Sequence, residues 1–168
     1  FQVVEREDGY ALVGRTESGE SDRRIILIRV DPQGTVLWEK AYQGGSAASV
    51  QPTADGGYII AGRIDDNERG KDALAIKVDS SGEEQWSRHL GGRGDDMGTY
   101  ALQSRNGSYF LAGITSSLGR GREDAWLVNL GSDLPQERAM PSNLSFSVYP
   151  LTPAQLAANS SSINSIRS

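Results

Sequence analysis

Cysteine is missing from all 168 residues, and histidine occurs once, at His89. A disulfide framework, a thiol nucleophile and a Cys-ligated zinc site are therefore excluded. A single histidine also leaves serine-type nucleophilic chemistry short of its usual base, and no nucleophile-elbow pattern surrounds any serine. Basic residues are the minority, 17 Lys and Arg against 22 Asp and Glu, for a net charge of −5. They are scattered one or two at a time, so the electrostatic footprint of a nucleic-acid binder is lacking. No apolar run approaches the ~18 residues of a membrane-spanning helix.

Glycine, by contrast, is abundant at 20 of 168 residues. It follows no G-X-Y period, which excludes collagen. A hydrophobic content of 37% is low for a helical bundle and too high for wholesale disorder. Many tight turns between short strands fit both numbers. The chain opens at Phe1 without Met and runs directly into a strand-like segment, so an upstream segment such as a cleaved leader is expected.

Self-similarity organises the rest. Asp8-Gly9-Tyr10-Ala11-Leu12-Val13-Gly14 returns as Gly56-Gly57-Tyr58-Ile59-Ile60-Ala61-Gly62, and again as Gly107-Ser108-Tyr109-Phe110-Leu111-Ala112-Gly113. Ile25 to Asp31 matches Ala73 to Asp79, and both match Ala125 to Leu130, which includes Trp126. Trp38 and Trp86 stand 48 positions apart, as do Tyr10 and Tyr58. Each unit reads as four strands. The first precedes an Asp-Gly or Asn-Gly turn, which supplies the positive φ of a tight hairpin. The second and third are apolar runs without polar alternation, as suits strands covered on both faces. Between the third and fourth lie Asp-Pro-Gln-Gly (31–34) and Asp-Ser-Ser-Gly (79–82), both turn signatures. The fourth carries the Trp and alternates with charge, as an outer edge strand should.

These features predict an all-β protein, a β-propeller-like array of about three four-stranded antiparallel blades spanning 1–48, 49–98 and 99–150. The third blade is divergent, since no Trp follows its turn; Ser145 to Tyr149 is a candidate late outer strand. Residues 151–168 read as a linker or tail, with a short helix over 152–158.

On Gly56 to Gly62, Asp72 to Trp86, and Gly91-Gly92 with Asp95 and Asp96, the sequence resembles the bacterial β-propeller repeats of exported and cell-surface proteins. The resemblance covers about residues 1–130 and implies a scaffold or binding surface in a periplasmic or cell-surface setting. A looser likeness, to quinoprotein blades, touches Asp31 to Trp38 and Asp79 to Trp86. Gln33 and Ser81 stand where that motif has Thr, so no cofactor is expected. Closed propellers have about four to eight blades. Three alone leave two apolar faces open, which predicts other protein subunits or further blades of the same chain as partners.

The repeat residues Tyr10, Gly14, Trp38, Tyr58, Gly62, Trp86, Tyr109, Gly113 and Trp126 are expected to be structural, the aromatics filling the space between blades. Candidate partner contacts are Arg69, Lys71, Arg120 and Arg122 in the loops between second and third strands, with Arg93, Asp95 and Asp96. Arg93-Gly94-Asp95 spells an integrin tripeptide, which repeat chemistry already explains. The acidic loops Asp65 to Glu68 and Gly94 to Asp96 lack calcium-loop spacing and read as solvated or turn-capping; His89, on an edge strand, reads as a surface or packing residue, and the paired Asp72 and Asp124 as turn hydrogen-bonding residues. The sequons at Asn106, Asn143 and Asn159 are equally bland. The expected function is a non-catalytic interaction or scaffold module of an exported protein, and no enzyme. A carbohydrate-binding propeller is the alternative, and a propeller enzyme fragment a third reading.

Overall fold

The apolar runs after each Gly-containing turn form strands, and the turns between them repeat almost atom for atom. In the computed structural model, which describes residues 1–17, 23–42, 44–66, 70–119 and 122–132, eleven strands follow one another. They are β1 (Gln2–Arg6), β2 (Gly9–Glu17), β3 (Arg23–Val30), β4 (Val36–Tyr42), β5 (Ser46–Pro52), β6 (Tyr58–Asp66), β7 (Gly70–Val78), β8 (Glu84–Leu90), β9 (Asp96–Gln103), β10 (Ser108–Thr115) and β11 (Asp124–Ser132). Each strand pairs antiparallel with its sequence neighbour in one of three sheets: β1–β4, β5–β8 and β9–β11. The protein is therefore all-β, as expected, and no helix occurs among the described residues. Ser145 to Tyr149 and the segment 151–168 lie outside those residues, and the third sheet has three strands within them.

Turn chemistry accounts for the repetition. Gly9, Gly56 and Gly107 adopt positive φ before the second strand, and Gly34 and Gly82 do so before the fourth. At the latter turns one carboxylate oxygen of Asp31 accepts the Gln33 and Thr35 amides, and Asp79 does the same for Ser81 and Glu83. Those hydrogen bonds satisfy amides that the reversed chain would otherwise leave open, which is why Asp recurs there. Hydrogen bonds hold both carboxylates below their ordinary range, led by the Thr35 backbone amide for Asp31 and by the Ser81 hydroxyl for Asp79.

The sheets stack in chain order. β5 lies against β1, β2 and β3, and β9 lies against β5, β6 and β7. Each sheet thus has a forward face, toward the next sheet, and a rear face. In the first seam Ala11, Val13, Ile25 and Leu27 of the first sheet meet Ile60, Leu74, Ile76 and Val78 of the second. In the second seam Ile59, Ala61, Ala73 and Ala75 meet Leu111, Trp126, Val128 and the half-buried Leu130. Successive side chains on a strand point to opposite faces, so β6 and β7 feed both seams at once. That explains their unbroken apolar runs. Each Ile or Leu hidden this way is worth about 1.5–3 kcal/mol.

Candidate functional site

The outward faces of the end sheets are the first unusual surface. Leu12, Ile60 and Leu111 are equivalent rear-face positions on the second strand of each sheet. Ile60 and Leu111 are fully buried, yet Leu12 is 37% exposed. Leu27, Ala75 and Leu127 are equivalent forward-face positions; the first two are buried and Leu127 is 49% exposed. On the first sheet's rear face, Val3 is exposed and Ile26 and Ile28 are half-buried. A groove of about 440 Å³ runs there, floored by Leu12, Gly14, Ile26 and Ile28 and walled by Phe1 and Val3. On the third sheet's forward face Tyr100, Leu102, Ile114 and Leu127 are exposed, with Phe110 and Ala112 half-buried between them. Apolar surface grouped like this is uncommon on the outside of a soluble domain.

The repeated aromatics lie along the seams. Trp38 on β4 meets Tyr58 on β6 edge-on, with ring centroids 6.3 Å apart, and Trp86 on β8 meets Tyr109 on β10 at 5.3 Å. The Arg6 guanidinium sits 5.4 Å over the Tyr58 ring. Tyr10, the equivalent of Tyr58, is half-buried on the first sheet. Trp126 is buried in the second seam with its indole over Gly113, where a Cβ would collide with it. Gly62 and Gly113 each bring a first-type strand close to the second: a Cβ there would strike the carbonyl of Ser46 or Met97. Gly14 instead carries the Phe1 ring on its open side. Tyr42 closes the first seam at its outer margin, where its hydroxyl donates to the Gly82 carbonyl at 2.8 Å. Burial pushes that phenol well above its ordinary range.

The loop rim differs from expectation. Arg69 and Arg120 lie outside the described residues. Lys71 and Asp95 are joined, the Lys71 amide donating to Asp95 Oδ1 at 3.2 Å with the ammonium 3.9 Å from Oδ2. Asp96, expected as a partner contact, is 1% exposed. Its Oδ2 accepts the Gly92 amide at 3.1 Å and the Ser117 hydroxyl at 2.5 Å. It therefore fastens the β8–β9 connection to the loop after β10, because β9 begins at Asp96 and draws the side chain inward. Arg93 and Arg122 remain exposed. His89 is exposed on β8 opposite Leu74. Asp65 reaches across the first seam to Arg23 at 3.4 Å. Asp124 opens β11, whereas Asp72 is the third residue of β7, paired with Ile64, because that hairpin extends back to Gly70. Asn106 sits in the β9–β10 turn, where its side-chain oxygen accepts from Ser104 and Ser108.

A buried cation recurs in the first two sheets. Arg29 and Lys77 are equivalent forward-face residues, and both are buried. Arg29 pairs with Asp8 at 2.5 Å and donates to the carbonyls of Tyr10 and Val30. Lys77 pairs with Asp55 and donates to the Val78 carbonyl, both at 2.7 Å. A register shift follows each cation in its pairing with the fourth strand. Burial raises both carboxyls, but their partners outweigh it: the Arg29 charge holds Asp8 below its ordinary range, and the Lys77 hydrogen bond does so for Asp55. A basic residue two places before each turn Asp was the available signal. In the third sheet Asn129 takes the position and is exposed.

Among the described residues no three His, Cys, Asp or Glu converge to hold a metal ion. No described helix is long and apolar enough to cross a membrane. The chain matches no protein-family model, and it matches no curated protein.

Proposed function

We propose that this chain is a non-catalytic interaction or scaffold module, a stretch of β-propeller-type array within an exported protein, whose two end faces dock further sheets or protein subunits. The observation that carries this is the contrast between equivalent residues: Leu12 is partly bare where Ile60 and Leu111 are sealed. The same repeat position is apolar in every sheet, and solvent reaches it only where no neighbouring sheet stands. Stacked repeats bury their faces against each other, so terminal ones need a cap. A protein that ended there would gain from polar residues on its outer faces, as capping repeats show.

The test is binding of an environment-sensitive dye, anilinonaphthalene sulfonate, to the isolated chain. The end faces should take up the dye, and Ile28→Asp together with Leu127→Asp should abolish most of the signal while the far-ultraviolet β spectrum is retained. A chain that takes up no dye, or whose dye signal is indifferent to both substitutions, would overturn the proposal.

A further inference from the structure

We propose that the open seam accepts a second copy of this chain, the forward face of one copy's third sheet seated on the rear face of the other's first sheet. This rests on the docking reading above and names the partner. The two bare faces are not alike: one is the forward half and the other the rear half of a seam that the molecule already builds twice. A contact between them continues the existing stacking without new geometry.

Side-chain volume supports the match. A core seam fills its space at near-crystalline density, so a bulky face needs a slight one opposite. The eight β2-type and β3-type positions named above hold about 27 side-chain non-hydrogen atoms in the first seam and about 28 in the second. The distribution within each differs. In the second seam three alanines of the middle sheet make room for Trp126. The open pair brings Phe110, Ala112, Ala125 and Leu127 against Leu12, Ile26, Ile28 and Val30. That set again comes to about 28 atoms, the Phe ring facing aliphatic side chains of moderate size. Charge agrees. Where the first two sheets carry Arg15 and Arg63, the third has Ile114, and Asn129 replaces the basic Arg29 and Lys77. The third sheet's forward face thus lacks the basic residues that the forward faces of the first two sheets carry at these positions.

The contact is head-to-tail, so it closes into a ring where the rotation permits. Two copies of three sheets supply six, inside the range of closed propellers.

Light scattering after size exclusion, on the full 168-residue chain across a concentration series, tests this. The wild type should reach twice the single-chain mass. Leu12→Glu and Leu127→Glu should each return it to the single-chain mass with the β spectrum intact. Mixed in equal amounts, the two variants should regain the doubled mass, because one seam in such a pair is unaltered on both sides. If a Glu variant loses its β spectrum, Leu12→Gln and Leu127→Gln serve in its place. A chain that stays single at the highest concentration, a double mass that survives either substitution, or a mixture that fails to recover would each overturn the self-association. A single chain that still binds the dye sinks the second copy alone; one that binds no dye sinks the docking reading as well.

Discussion

Truncation of one repeat position in all three sheets should give two severe variants and one mild one. Ile60→Ala and Leu111→Ala each remove three carbons from a fully buried site. At about 0.8 kcal/mol per carbon the transfer loss is about 2.4 kcal/mol, and the cavity left between sheets raises the total to about 3–5 kcal/mol. Leu12→Ala removes the same three carbons from a residue 37% exposed, with no opposing sheet to enclose a cavity. Only contacts within its own sheet are lost, worth about 1 kcal/mol or less. Urea denaturation read by tryptophan fluorescence, at concentrations where the chain is single, measures all three. A Leu12→Ala loss equal to that of Ile60→Ala would refute the reasoning, since solvent exposure would then have no bearing on the cost. So would an Ile60→Ala loss below about 1 kcal/mol, because the first seam would then not be packed.

Removing the carboxylate that the buried Lys77 pairs with should cost more than removing the pair: Asp55→Ala loses about 1–3 kcal/mol, and adding Lys77→Met recovers most of it in a double-mutant cycle. Asp96→Ala should leave the Gly92 amide and Ser117 hydroxyl without their acceptor, lowering stability by about 1–3 kcal/mol and speeding exchange of the Gly92 amide. The acid limb of stability follows from Asp8, Asp31, Asp55 and Asp79. Their folded pKa values lie below the ordinary Asp value of 3.8, so their contribution is complete above that value and is lost as the pH falls through the lower folded values. The thermal midpoint should hold level from neutral pH to about 5 and drop below about 4, and Asp31→Asn with Asp79→Asn should flatten the drop.

Much of this architecture is legible in the chain because its repeats are landmarks of backbone geometry. A Gly with positive φ beside Tyr, and an Asp that accepts two turn amides, can each be identified from residue type and spacing. Strand starts were harder to read. The first-type strands of the second and third sheets begin at Ser46 and Asp96, before the apolar runs that signal them, because 46–48 are small or polar, Met97 stands alone among Asp96, Gly98 and Thr99, and register shifts at Ala47/Ser49 and opposite Ala112/Gly113 break the period of two. Asp96 looked like a solvated loop residue for the same reason. The burial of Lys77 and Arg29 is harder to see, since the spacing of a basic residue from the turn Asp that follows does not say that Asp55 or Asp8, in the turn before the sheet's second strand, comes to pair with it. The exposure of Leu12 and Leu127 was foreseeable only as a property of array ends, because a residue's burial in stacked sheets depends on its neighbour as much as on itself.

Methyl resonances of Leu12, Leu127, Ile60 and Leu111, recorded with a soluble gadolinium chelate, put the end-face account to the most direct test. In the single chain the account predicts strong broadening at Leu12 and Leu127 and none at Ile60 and Leu111, with the first two becoming protected once the chain is assembled. Equal broadening at all four, or protection of Leu12 and Leu127 in the single chain, would contradict it.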